Sequence, residues 1–297
     1  MSPDRAIPPG QRARHCAPAC LIAALLLAAP ACLIAALLLA APARAQVLAM
    51  VSPTQASLTA VPGEPLEREV VVSNMGAVPV RVRVRLSDWT LSEYGEIGLA
   101  ALGSTARSLD GAVRFAPGDL LIRPGDNGRI HLRIDLGSGG APTRWGMLMC
   151  EVRSAVAAQD EIGPRAVTEL GTTLLVSRLP ADQVRADITG LKVRVLGRDS
   201  IAITARVANT GLRHLFVTGA ASLRDSSATP LGGGPLPPGL VLPGMSRYFE
   251  WTGHVTHAPG RCVASATLDY GVPELLVGET KFRWAAADPP GSERAQR

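Results

Sequence analysis

This sequence predicts an all-β chain, two tandem immunoglobulin-like β-sandwiches behind an N-terminal signal peptide. Three observations carry that prediction. After residue 46, apolar residues recur at every second position in one segment after another, the period of a half-buried strand. Turn signals rich in Gly, Pro and Asn separate these segments at short intervals, as in sandwiches built of many short strands. The one long apolar run stands at the N terminus, directly before a cleavage pattern.

That run, residues 17–43, contains the block APACLIAALLLA twice, at 17–28 and again at 29–40. A twelve-residue block in two copies is too short and too few for a solenoid, whose repeats run about 20–50 residues. Arg5, Arg12 and Arg14 precede the run, and Ala43-Arg44-Ala45 follows it. A basic flank, an apolar stretch and an A-x-A site describe a secretory signal, cut here between Ala45 and Gln46. The doubled run is long enough to span a bilayer, which takes about 20 apolar residues. Pro30 interrupts its middle, however, and the cleavage site follows, so removal is expected over an uncleaved anchor. Cys20 and Cys32 each follow Pro-Ala without the upstream Leu of a lipidation site. No further apolar span follows, so an exported protein with no stable membrane span after cleavage is expected.

Removing 45 of the 297 residues leaves 252, enough for two domains of ordinary size. The first 45 hold four Arg and one Asp, so the remainder carries 26 basic and 24 acidic residues, a net charge of +2. That balance gives no case for nucleic acid as a partner. Three of the five cysteines leave with the signal. Cys150 and Cys262 remain, one per domain and each in an apolar strand pattern, and buried free thiols are expected.

The strands follow in order. In the first domain they fall near 47–60, 66–74, 79–88, 113–123, 129–136, 144–153 and 167–179. The alternation is plainest where Val80, Val82, Val84 and Leu86 interleave with Arg81, Arg83 and Arg85, and where Ile130, Leu132, Ile134 and Leu136 interleave with polar residues. In the second domain they fall near 184–196, 200–208, 213–223, 245–256, 262–270 and 276–284, with Ile201, Ile203, Ala205 and Val207 on one face. About seven and six strands suit two immunoglobulin-like sandwiches. The expected division is a signal at 1–45, a first sandwich at 46–180, a second at 181–286 and a polar, Pro-rich disordered tail at 287–297.

The stretch VSPTQASLTAVPGEPLEREVVVSNMGAVPVRVRVRLSDWTL, then FAPGDLLIRPGDNGRIHLRI, resembles the first domain of the periplasmic pilus and fimbrial assembly chaperones, the PapD-like family. The segment from VLPGMSRYFEW through ATLDYG resembles the second sandwich of such proteins. The resemblance implies a non-enzymatic protein without cofactor that binds an exported subunit, or a peptide strand of it, by strand addition. Main-chain hydrogen bonds would supply affinity and alternate side chains specificity. The matching strand is AVTELGTTLLVSRLP, 166–180, with Leu170, Thr172, Leu174 and Val176 on one face. The connector AQDEIGPR before it could order on binding.

The chain also departs from that family. The resemblance implies a basic residue in the first strand and another in the last strand of the first domain, to hold a subunit carboxylate. Gln55 stands at the first position and Thr172 and Thr173 at the second, with Arg178 nearby in sequence. A neutral amide or hydroxyl cannot supply the charge-assisted bond. A second reading therefore stands beside the first: a structural or adhesive envelope module without chaperone activity. Self-association through an exposed edge strand is a further expectation. Other constellations are weaker. Arg81, Arg83 and Arg85 read as a solvated face that blunts edge pairing. His254 and His257 lack a third metal ligand nearby. Asp88 reads as a turn residue and Trp89 as a core or corner aromatic. LGGGP at 231–235 lies among turn signals with no helix to follow, so it is no phosphate cradle.

Overall fold

The structure is a computed structural model and describes residues 47–61, 63–156, 167–178, 184–256 and 260–284. The expected signal, its Ala45–Gln46 bond, the connector AQDEIGPR, the junction at 179–183, His257 and the tail lie outside the described residues.

The first half folds as two facing sheets. One has the order β1-β3-β8-β6, built from Ala49–Ser52 (β1), Leu66–Asn74 (β3), Asn127–Ile134 (β8) and Val113–Ala116 (β6). The other has the order β2-β10-β9-β4-β5, built from Gln55–Ala60 (β2), Val167–Arg178 (β10), Thr143–Ser154 (β9), Val80–Leu91 (β4) and Ile97–Ala100 (β5), with Asp119–Ile122 (β7) also pairing β4. The alternating residues behave as their period requires. Val80, Val82, Val84, Ile130, Leu132 and Ile134 are buried in one core with Leu148, Cys150 and Val152 of β9. Each such side chain withdrawn from water contributes about 1.5–3 kcal/mol.

Two segments that read as single strands cross between sheets at a proline. The 47–60 run divides at Pro53 into β1 and β2, and the 113–123 run divides at Pro117 into β6 and β7. Proline has no N–H to give a ladder, so each run breaks there and resumes on the facing sheet.

The second half is again two sheets. Ala186–Val195 (β11), Ser200–Asn209 (β12) and Ser246–His254 (β15) form one, ordered β11-β12-β15. Leu215–Asp225 (β13), Pro230–Val241 (β14), Gly260–Asp269 (β16) and Leu276–Trp284 (β17) form the other, ordered β14-β13-β16-β17. Ile201, Ile203, Ala205 and Val207 share the core between them with Leu215, Leu223, Leu268 and Trp284. Strand β14 corrects the reading of PLGGGPLPPGLV as turns. It pairs with β13 alone, at the sheet edge, and its Pro237-Pro238 lies where the register shifts between Val217 and Gly219. Edge strands and bulges are where a sheet tolerates proline.

Two smaller expectations also change. Strand β4 is flanked by β9 on one side and by β5 and β7 on the other, so its Arg row lies on an interior strand and blunts no edge. Arg81 pairs with Asp119 at 3.3 Å, and Arg85 with Glu169 at 2.8 Å. Asp88 is fully buried within β4. Its carboxylate accepts from the Thr105 N–H at 2.9 Å, the Thr105 hydroxyl at 3.0 Å and the Ser108 hydroxyl at 2.6 Å, so it fastens the loop after β5.

Candidate functional site

The feature that singles out one strand is unequal pairing. On one side β10 is antiparallel to β9 over nearly its whole length, from Val167 opposite Arg153 to Ser177 opposite Thr143. On the other side β2 runs parallel to it but covers only Thr173–Arg178. Upstream of Gln55 the chain has left for the facing sheet as β1. Among the described residues, positions 167–172 of β10 therefore have no neighbour strand on that side.

The direction of the backbone groups follows from the strand period. The Thr173 N–H donates to the Thr54 carbonyl at 2.9 Å, so odd-numbered residues face the β2 side. The Arg178 N–H donates to the Pro142 carbonyl at 2.8 Å, so even-numbered residues face β9. By alternation, Val167, Glu169 and Gly171 aim their N–H and C=O groups at the open edge.

The side chains alternate in the other sense. Leu170 is half-buried against the first core, Thr172 is buried, and Leu174 and Val176 are fully buried within that core. The Thr172 hydroxyl donates to the Pro53 carbonyl at 2.8 Å. This corrects the expectation that all four stand ready for a partner. At Leu174 and Val176 both backbone edges are occupied, by β9 and β2, and the side chains are core. Arg178 is also engaged elsewhere. Its guanidinium donates to the carbonyls of Ser138 at 2.5 Å and Gly140 at 2.7 Å, in the loop before β9. Gln55 is exposed and lies opposite Thr173, where the open edge ends.

The outer face of this sheet meets the second sandwich. Trp89, Trp145, Met147, Met149 and Leu175 form a buried cluster with Leu242, against which Leu240 and Met245 pack. The Trp89 indole N–H donates to the Gly146 carbonyl at 3.1 Å, and that of Trp145 to the Trp89 carbonyl at 3.2 Å. The β4–β5 turn reaches across as well. Glu93 pairs with Arg206, the Tyr248 N–H donates to the Glu93 carbonyl at 2.8 Å, and Tyr94 stacks on Tyr248 with centroids 5.2 Å apart. On the β2 side, Ser57 Oγ lies 2.7 Å from His214 Nε2, and Ser177 Oγ lies 3.4 Å from His214 Nδ1. The Thr143 hydroxyl donates to the Leu212 carbonyl at 2.5 Å. Burial, with Arg213 adjacent, pulls the His214 pKa down to about 4, so the imidazole is neutral near pH 7.

Gly171, Met147, Met149 and His214 were not legible as site residues. Each acquires its place through a neighbour distant in sequence, and no local motif announces it. Gly171 alone carried a signal, as a glycine inside a strand pattern, a mark of close approach by a neighbour.

Together these features define a class: a two-sandwich immunoglobulin-like protein with one half-open edge strand beside the junction of its sandwiches. Its fold is similar to that of the class 5 fimbriae chaperone CfaA, with a TM-score of 0.42 and 14% identity, covering 78% of this chain and 98% of that one. The YadV chaperone gives 0.42 and 12%, covering 79% and 99%. The E. coli chaperone DraB gives 0.40 and 13%, covering 79% and 98%. At these identities the likeness is one of fold. No protein-family model matches the chain, and no curated protein sequence matches it significantly.

Proposed function

We propose that this protein is an exported, chaperone-like assembly factor of the periplasm that binds an extended strand of an exported pilus or surface subunit by strand addition. The observation that carries the reading is the open half of β10, where Val167, Glu169 and Gly171 turn three peptide groups to an edge that no strand pairs among the described residues, while the rest of the strand is paired on both sides. An added strand would complete the sheet there and end where Thr54 and Gln55 begin to cover β10. Gln55 and Thr173, at that end, offer hydrogen bonds without charge.

The parity of the strand supplies the test. Proline at 169 removes an N–H from the open edge and leaves the N–H groups that face β9. The protein is isolated gently from the envelope of its host, as wild type and as Glu169→Pro. The expected result is a stoichiometric exported β-rich polypeptide with the wild type and its loss with Glu169→Pro at an unchanged melting temperature. Equal recovery of that polypeptide with both proteins refutes the edge assignment. Retention of both on purified wall material, with no polypeptide partner, favours the envelope-module reading instead.

A further inference from the structure

Gly171 is the last open position before β2 takes over the edge of β10. It stands directly opposite Met149, on the face of the sheet turned toward the second sandwich. A Cβ placed on Gly171 would come within 2.8 Å of the Met147 sulfur and 3.4 Å of the Met149 sulfur. Two thioethers therefore lean over a position that has no side chain of its own. Two residues back on the same face, Glu169 is held by Arg85 at 2.8 Å. Two residues ahead, opposite Thr173, is Gln55. The outer face of the open edge thus reads ion pair, sulfur-covered glycine, amide.

A strand added to this edge places the residue opposite Gly171 on that same outer face. Its side chain meets no Cβ on Gly171, only the two sulfurs above it. A large flat side chain fits such a place best. It covers a cross-strand glycine, and its ring edge meets sulfur favourably. Methionine, unbranched and polarizable, re-packs around it. The flanking positions, beside Glu169–Arg85 and beside Gln55, favour polar side chains instead.

We propose that Gly171 with Met147 and Met149 forms a specificity notch for an aromatic side chain of the added strand, at the strand position opposite Gly171. This rests on the strand-addition reading of the same edge, and it names the partner chemistry: an extended segment with an aromatic residue on the outer face, next to the end that abuts Gln55.

The test uses ten-residue peptides of alternating Thr and Val that carry one Phe, walked through each position, with the all-aliphatic peptide as reference. The protein carries ¹³C-methyl methionine. Affinity is expected to rise about threefold to tenfold for Phe at one outer-face position and at no inner-face position. The Met147 and Met149 methyl signals should move upfield with that peptide alone. Gly171→Ala should remove the Phe preference, so that the Phe and all-aliphatic peptides bind alike. Should Gly171→Ala fold poorly, Met149→Leu, a near-isosteric change, should lower the preference instead. Peptides that bind equally well wherever Phe stands would overturn the notch and leave strand addition intact. Peptides that do not bind at all would overturn both.

Discussion

Ser57 Oγ and His214 Nε2 stand 2.7 Å apart across the boundary between the two sandwiches. Ser57 belongs to β2, the strand that closes one half of the β10 edge, and His214 immediately precedes β13. The same strand that sets where the open edge ends is therefore tied to the second sandwich. The other anchor, Glu93 with Arg206 and Tyr94 on Tyr248, lies at the β4–β5 turn, toward the opposite end of the same sheet's strand order. Between the two anchors lies the Trp89–Trp145–Leu242 cluster.

The His214 contact makes stability depend on pH with a definite sign. Its folded pKa of about 4 lies below the ordinary 6.5. Between those values the unfolded chain binds a proton that the folded protein refuses. Stability is therefore full above about pH 6.5 and is lost as pH falls toward 4, by about 3 kcal/mol from this group. Urea unfolding at pH 7 and pH 4.5 checks it. His214→Asn should shrink the difference between the two midpoints, and an undiminished difference would contradict the assignment.

Leu242 is the fully buried contribution of the second sandwich to the shared cluster. Leu242→Ala should cost about 2–5 kcal/mol, the usual range for such a truncation. Because the loss falls on the junction, the two sandwiches should begin to melt separately. Scanning calorimetry should show one transition in the wild type and two in the variant. A single unshifted transition would show that the junction contributes little.

Leu174 lies in the first core, with β9 on one side and β2 on the other. Leu174→Asp buries an unpaired carboxylate there and should unfold the first sandwich rather than silence a docking surface. Near-ultraviolet circular dichroism of Trp89 and Trp145 reports it. A native spectrum from the variant would place Leu174 outside the core.

Cys150 is fully buried and its thiol is pushed up to about 11 by burial. Cys262, also buried, is raised by burial and then by Asp225. At pH 8 little thiolate exists at either. A disulfide reagent such as Ellman's should find both silent in the native protein and both reactive in urea. Cys150 then reports on the first sandwich and Cys262 on the second. Fast reaction in the native state would contradict the packing.

Much of the architecture was legible because burial on one face leaves a period of two, and the Val80–Leu86 and Ile201–Val207 runs needed no tertiary information. Strand β14 escaped because Gly and Pro read as turn residues, and only its place at a sheet edge makes them tolerable. Strand β5 escaped because four residues, Ile97–Ala100, are too few to show a period. The site was half legible. The matching strand was visible at 167–179, but periodicity marks a buried face and a docking face alike, so Leu174 and Val176 looked like Leu170.

By itself, then, the sequence determined the all-β class, the order of most strands and which residues alternate into a core, because alternation is a local consequence of one dry face and one wet one. Only the tertiary structure decided which half of β10 is open. That depends on where the chain at Pro53 leaves one sheet for the other, and on β2 reaching Gln55 but no further back. It also decided that Met147 and Met149 lean over Gly171 and that His214 meets Ser57. Such contacts join residues far apart in the chain, and local pattern cannot encode a partner that only the packing of sheets brings near.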